Sequence, residues 1–226
     1  TPERMDGRDI CQEFFDGRMA AEIRLPEAIN RQLLVPFQYF GITDTADLSD
    51  VRFVRGRYDA GALERIYTGD DARAGLIADA VERYVADLGK VRGLGFCAGI
   101  NHAIYMSEAF NRCGIPSEVL EGKSSQQDRR AAVGRLKKGE IKFIFTVDLY
   151  NEGVDIPFVN TILLLRPTES LTIFLQQLGR GLRLYEGKNE LTVLDFIGNA
   201  NSQYDFESKF RALLSRTRHP LKEEIY

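Results

Sequence analysis

Three short, largely apolar runs constrain the fold of this chain more than any other feature of its sequence. They occupy residues 141–146, 161–165 and 191–197, and they are rich in Ile, Val, Leu, Phe and Thr. Runs that are apolar at nearly every position, rather than at every second one, are typical of strands buried on both faces. The sequence therefore predicts an α/β fold with a doubly wound, mainly parallel sheet and helices on both faces.

Helical patterns alternate with these runs, as such a sheet requires. Asp70 or Asp71 is the expected cap of the first pattern and Gly89 its stop, while Asn101 caps the next and Gly139 ends the third. Five segments carry apolar residues at helical spacing: 70–88, 102–112, 125–138, 170–178 and 206–215.

Composition excludes several classes of protein. With 44% hydrophobic and 28% charged residues among 226, the chain is neither disordered nor membrane-spanning in character. Three scattered cysteines and two histidines argue against a metal site and favour a reduced, cytoplasmic setting. The net charge of −3 gives no general attraction to nucleic acid, although residues 123–142 are locally basic. That basic stretch is equally typical of a solvated amphipathic helix.

The tripeptide Gly122-Lys123-Ser124 raises the question of a phosphate-binding loop. A Walker A loop is G-x-x-x-x-G-K-[ST], and its first glycine would have to stand at position 117, which is Ser117. The spacing is therefore wrong, and nucleotide chemistry has to be sought elsewhere in the chain.

Two other segments carry candidate chemistry. In QQLGRGLR, Arg180 and Arg183 would share one face if the segment is helical, and paired guanidinium groups suit the oxygens of a polyanion. In FTVDLYNEGVDIP, a buried strand leads into a glycine and several carboxylates. Because ligands of open α/β sheets bind at the carboxyl ends of the strands, we expect both segments at that edge. A solvated arginine pair and an ordinary acidic turn are the structural alternatives.

In this order, the segments resemble the second RecA-like domain of superfamily 2 helicases and translocases, in the branch that includes restriction-enzyme motor subunits and DEAD/DEAH-like proteins. The resemblance covers roughly residues 90–200, and even the opening TPER is similar to the tail of motif III. Four segments carry it: GFCAGINHA is similar to motif IV, SSQQDRR to the Q-x-x-R segment, TVDLYNEGVDIP to motif V and QQLGRGLR to motif VI.

The resemblance implies roles at a nucleotide. Arg180 and Arg183 would be arginine fingers that act on the γ-phosphate of ATP, and Gln176 would open motif VI beside them. Gly153 and Asp155 would lie against the nucleotide. ATP and Mg²⁺ would be bound mainly by a first RecA-like domain upstream in the same chain, so the present chain is expected to be an inactive fragment of an ATP hydrolase.

The resemblance also implies contacts with the phosphates of a nucleic-acid strand, through Asn101, Arg129, Arg130 and Thr146. It divides the chain into a tail of the first domain or linker (1–22), a connecting strand, turn-rich segment and first helix (23–90), and a core (91–226).

Departures from DEAD-box motifs favour DNA over RNA as the partner. Val147 stands where those motifs have Thr, Glu152 and Gln177 replace arginines, and Leu182 replaces a glycine. The alternative function is a non-catalytic module for binding nucleic acid or another partner, which keeps the fold without the hydrolysis.

Overall fold

The computed structural model describes residues 25–54, 57–147, 156–168 and 171–199, together with positions 13, 14, 16 and 23. The predicted helix at 206–215 and most of segment 1–22 lie outside the described residues.

The core of the molecule is a six-stranded sheet in which every neighbouring pair of strands is parallel. The strand order is β1-β8-β7-β4-β6-β5, and two further strands, β2 and β3, form a separate antiparallel hairpin. The predicted α/β class with a parallel sheet is thus confirmed. The strands are β1 (Phe37–Asp47), β2 (Phe53–Val54), β3 (Arg57–Tyr58), β4 (Gly93–Phe96), β5 (Ser117–Leu120), β6 (Phe143–Thr146), β7 (Thr161–Leu164) and β8 (Leu191–Asn199).

Helices cover both faces of this sheet. The helices are α1 (Leu25–Asn30), α2 (Ala60–Tyr67), α3 (Asp71–Tyr84), α4 (Ile100–Arg112), α5 (Gln126–Lys138) and α6 (Leu171–Gly181), with a 3₁₀ turn at Leu88–Lys90. Apolar side chains of α3 and α4 pack on one face, and those of α5 and α6 on the other. Strands β4, β6 and β7 are buried at every position, as the apolar runs at 141–146 and 161–165 predict for β6 and β7.

Several predicted helix boundaries are confirmed, and others are wrong. The Asp70 side chain accepts a hydrogen bond from the Arg73 amide and caps α3, and Gly139 ends α5 with a φ of 81°. However, α3 ends at Tyr84, so Gly89 is not its stop. Gly89 instead donates its amide hydrogen to the Asp87 carboxylate at 2.8 Å, within the 3₁₀ turn.

Candidate functional sites at the two edges of the sheet

Helix α6 runs back along the sheet, so Arg180 in its last turn and Arg183 just after it lie at the opposite edge from the expected carboxyl ends of the strands. The helix follows β7, and its last residue, Gly181, lies against Ile162 and Leu191, which stand at the starts of β7 and β8. The carbonyl of Leu182 accepts a hydrogen bond at 2.9 Å from the amide of Val35, just before β1. We call the side where strands begin the amino edge and the side where they end the carboxyl edge.

The expectation that Arg180 and Arg183 lie at the carboxyl edge is therefore wrong. The rule for open α/β sheets locates the start of a helix that follows a strand, but α6 is long enough to carry its last turn back to the amino edge. Arg180 is half-buried in that last turn, whereas Arg183 is exposed and follows the end of the helix. The argument from a shared helical face does not apply to this pair.

Close packing accounts for the glycine at the last position of the helix. A Cβ atom added at Gly181 would lie 2.4 Å from Cδ1 of Leu191 and 3.2 Å from Cδ1 of Ile162. Only glycine lets the helix end approach the first residues of the sheet so closely. By contrast, a Cβ added at Gly179 would meet no atom within 4 Å, so close packing requires a glycine at position 181 but not at position 179.

The two neighbouring glutamines of α6 differ in environment. Gln176, the residue predicted to open motif VI, is exposed. Gln177 is only 1% exposed, and its Oε1 accepts a hydrogen bond from the Thr168 hydroxyl at 3.4 Å. The geometry is compatible with a ligand contact by Gln176 and gives Gln177 a role inside the fold.

The stretch that follows Asp155 reaches the same edge as the arginines. Gly153 and Asp155 themselves lie outside the described residues. Ile156, the next residue, is buried, and the ring of Phe158 packs edge-to-face on Tyr185 with centroids 5.9 Å apart. The residues immediately after motif V and those immediately after motif VI are thus in contact.

At the carboxyl edge, the start of α4 is capped by a side chain from another helix. Gly99, not Asn101, is the N-cap, so the predicted cap is wrong; Asn101 lies in the first turn. The backbone N–H of Asn101 donates to Oε1 of Glu64 at 2.7 Å. The same carboxylate lies close to Gly99, where an added Cβ would be 2.3 Å from the carboxylate carbon of Glu64. The carboxylate therefore occupies the position at the helix N-terminus that an anion favours.

A buried polar cluster that the sequence did not reveal lies beneath this loop. Arg73 donates from Nε to the Asp44 carboxylate at 2.7 Å and from Nη2 to the carbonyl of Leu165 at 2.9 Å. Its Nη1 is 3.3 Å from Nε2 of His102, and its guanidinium carbon lies 4.0 Å from the centre of the Tyr67 ring. The cluster joins β1, α2, α3, α4 and the end of β7.

His102 is held neutral inside this cluster. Its Nδ1 accepts a hydrogen bond from the amide of Ala98 at 3.1 Å, while its Nε2 faces the Arg73 guanidinium. A neutral imidazole accepts at one nitrogen only, so these two donors cannot both be satisfied at once. Burial, and then the charge of Arg73, lower the pKa of His102 well below its usual value.

Among the other predicted strand-phosphate residues, Arg129 also has contacts inside the chain. Arg129 is 9% exposed and donates from Nη2 to the carbonyls of Gly122 and Glu121, at 2.7 and 3.3 Å. It thereby holds the Gly-Lys-Ser turn that resembles half of a phosphate loop. Arg130 is exposed, and Thr146 is 2% exposed at the end of β6.

The described residues offer no group of three His, Cys, Asp or Glu side chains able to hold a metal ion. Across the same part of the chain, no helix has both the length and the apolar character needed to cross a bilayer.

One family model matches the part of the chain that holds most of this arrangement. Residues 78–185 match the family model described as the helicase conserved C-terminal domain. Over these residues the chain is similar to helicase C-terminal domains. The matched span includes β4 to β7, helix α6 and the arginine pair, so it covers both edges described above.

Two curated relatives match most of this chain. The "51.5 kDa protein" of Lactococcus phage (isolate 7-9) is 28% identical over 203 residues, which cover 88% of this chain and 42% of that protein. "Putative ATP-dependent helicase IRC3" of Saccharomyces cerevisiae is 26% identical over 198 residues, which cover 88% of this chain and 28% of that protein. The chain thus spans less than half the length of these relatives.

Solved structures confirm the RecA-like fold. "The fragment structure of a putative HsdR subunit of a type I restriction enzyme from Vibrio vulnificus YJ016" superposes with a TM-score of 0.67 at 24% identity, covering 92% of this chain and 41% of that chain. The "ATP-dependent Type ISP restriction-modification enzyme LlaBIII bound to DNA" superposes with a TM-score of 0.60 at 16% identity. The match covers 92% of this chain and 16% of that chain.

Proposed function

We propose that this chain is the second motor domain of an ATP-dependent helicase or translocase and acts on DNA. The observation that carries the proposal is the meeting of two segments at the amino edge of a helicase C-terminal domain. The end of α6, which bears Arg180, lies beside the residues that follow Asp155. ATP would be bound by a preceding RecA-like domain and face this edge.

The chemistry of the arginines suits the terminal phosphate of ATP. A guanidinium group is planar, permanently charged and rich in donors, so it can pair with phosphoryl oxygens bidentately. Arg180 and Arg183 would stabilise the charge that develops on those oxygens during transfer, which in GTPases is worth about 10³–10⁵ in rate. Gly153, Asp155 and Gln176 would contact the nucleotide. Mg²⁺, held mainly by the preceding domain, would supply charge neutralisation.

The nucleic-acid strand would be held at the opposite, carboxyl edge. Arg130 is exposed on α5, near the end of β5, and contacts of this kind to phosphates bind strands with little dependence on sequence. Asn101 would reach a phosphate through its side chain, because its backbone N–H already donates to Glu64. Binding should weaken with salt through counterion release. With ATP and DNA at different edges, closure on ATP could change the grip on the strand.

DNA is favoured over RNA by two considerations. The sequence departs from the DEAD-box motifs at Val147, Glu152, Gln177 and Leu182. Of the solved structures that share the fold, the LlaBIII enzyme is bound to DNA. RNA helicases also occur among the similar structures, including Prp28 from Chaetomium thermophilum with a TM-score of 0.51.

A non-catalytic interaction module is the second candidate, and one observation favours it. Two residues that would bind strand phosphates already use a donor within the chain. The Asn101 amide is bonded to Glu64, and the Arg129 guanidinium to two carbonyls. If these contacts persist, the carboxyl edge would bind a strand only weakly.

Nucleic-acid-stimulated ATP turnover of the intact protein separates these functions. Arg180→Ala should lower the stimulated turnover at least about a hundredfold, because a transition-state contact is lost. Arg31→Ala is the matched control: Arg31 pairs with Glu27 on the exposed surface of α1, and its loss should change turnover less than about twofold. Normal turnover in Arg180→Ala would remove the finger assignment, and no ATP turnover in the parent protein would favour the module.

A further inference from the structure

Lys188 is bonded to three backbone carbonyls from two separate segments at the amino edge. Its Nζ donates to the carbonyls of Pro157 at 2.5 Å, Val159 at 3.0 Å and Gly181 at 2.9 Å. An ammonium group has three N–H donors and no acceptor, so each hydrogen has a partner. Lys188 thus joins the stretch before β7 to the last residue of α6.

A tight turn fixes the position of this lysine. The amide of Lys188 donates to the carbonyl of Tyr185 at 3.1 Å, and Gly187 between them has a φ of 77°. That backbone conformation strains any residue with a Cβ, so glycine favours the turn. The turn also leaves the Tyr185 ring against Phe158, which adds an apolar contact between the same two segments.

A positive charge at this place is favourable for a second reason. The carbonyl of Gly181 ends helix α6, where the helix dipole presents its negative end. Lys188 is half-buried, and burial lowers its pKa to about 8, so the group still carries its proton for most of the time at neutral pH. Charge-assisted hydrogen bonds to three carbonyls are stronger and more directional than the contact between two rings.

The segments joined by Lys188 are those that carry the proposed nucleotide chemistry. Gly181 directly follows Arg180, and Pro157 stands two residues after Asp155. We propose that Lys188 is a positioning residue that fixes the arginine-bearing end of α6 against the stretch following Asp155, and so sets where Arg180 meets the nucleotide. This inference rests on the proposed function, and it assigns Lys188 no contact with the nucleotide itself.

The experiment compares three substitutions in the intact protein. Lys188→Met nearly keeps the length of the side chain but removes its charge and its hydrogen-bond donors. Lys188→Arg keeps both the charge and the donors. Lys142→Met is the matched control, because Lys142 is also half-buried and donates to a backbone carbonyl, but to that of Gly89 in the 3₁₀ turn, at 2.8 Å, and not to one in α6. Two measurements apply to each variant: kcat and KM for nucleic-acid-stimulated ATP hydrolysis, and amide hydrogen exchange over residues 156–159 and 181–185.

Lys188→Met should lower kcat about tenfold or more while KM for ATP changes less than about threefold, because a misplaced group costs the transition state more than the ground state. Exchange over the two segments should accelerate. Lys188→Arg should recover at least half of the lost kcat, and Lys142→Met should resemble the wild type in both measurements. Equal kcat values for Lys188→Met and Lys142→Met would overturn the inference.

A double substitution shows whether the lysine acts through Arg180. If it does, adding Lys188→Met to Arg180→Ala should change kcat less than about twofold, because the group to be positioned is already gone. Should the two losses multiply instead, Lys188 does not act through Arg180 and the inference fails. Full turnover in Arg180→Ala alone would count against the proposed finger, whereas loss in Arg180→Ala with none in Lys188→Met would count against the positioning role only.

Discussion

The two edges of the sheet hold their candidate sites in different ways. At the carboxyl edge, the loop between β4 and α4 rests on a buried ionic cluster around Arg73 and is capped by Glu64. At the amino edge, the end of α6 is held by the close approach of Gly181 to the sheet and by the hydrogen bonds of Lys188. We infer that the carboxyl edge opens only when the whole domain unfolds. The amino edge can be loosened while the domain stays folded.

Arg73→Met should produce the largest effect, at the carboxyl edge. The substitution leaves the buried Asp44 carboxylate without its partner, and breaking a buried pair in this way costs about 3–5 kcal/mol of the free energy of unfolding. Arg112→Met, which removes an exposed ion pair with Asp71, should cost less than about 1 kcal/mol. Denaturant unfolding of both variants gives the comparison. A small loss in Arg73→Met would mean that the cluster does not support this edge.

Gly181→Ala tests the close approach at the amino edge. The added methyl group would overlap Leu191, and overpacking of this kind costs about 1–3 kcal/mol. Gly179→Ala is the matched control on the same helix, where the space is open and the higher helix propensity of alanine should stabilise by up to about 1 kcal/mol. Thermal unfolding should therefore shift in opposite directions for the two variants. Shifts in the same direction would contradict the proposed packing.

The smallest effect is a dependence of stability on pH at the carboxyl edge. The pKa of His102 is depressed in the folded state, so the unfolded chain takes up a proton first as the pH falls below about 6.5. The stability that His102 contributes is present above that pH and is lost below it, by at most about 1.4 kcal/mol per pH unit. His102→Asn should show a shallower decline of unfolding free energy between pH 6.5 and 5. An identical decline would show that His102 does not titrate on unfolding.

Much of the fold could be predicted because its signals are local. The apolar runs identified three of the six parallel strands, β6, β7 and β8, and Gly139 marked the end of α5 through its backbone preference. The arginine pair and the segment before Pro157 could be found because their residue types repeat a known motif order.

What the sequence could not reveal depends on distant partners. The Arg73 cluster joins residues far apart in the chain, and Glu64 replaces a local cap at Gly99, so no local pattern announces either contact. The edge at which Arg180 lies depends on the length of α6, whose last residue, Gly181, packs on Leu191. Sequence reasoning singled out Arg180 and Arg183 as candidates and placed them at the wrong edge, one strand length away.

The central claim is that Arg180 acts on the terminal phosphate of ATP as the phosphoryl group transfers. The most direct test is to measure ATP binding and the single-turnover rate of hydrolysis separately for Arg180→Ala in the intact protein. The account predicts a dissociation constant for ATP within about threefold of the wild type and a hydrolysis step slowed at least about a hundredfold. An unchanged hydrolysis rate, or a loss of binding that accounts for the whole defect, would contradict it.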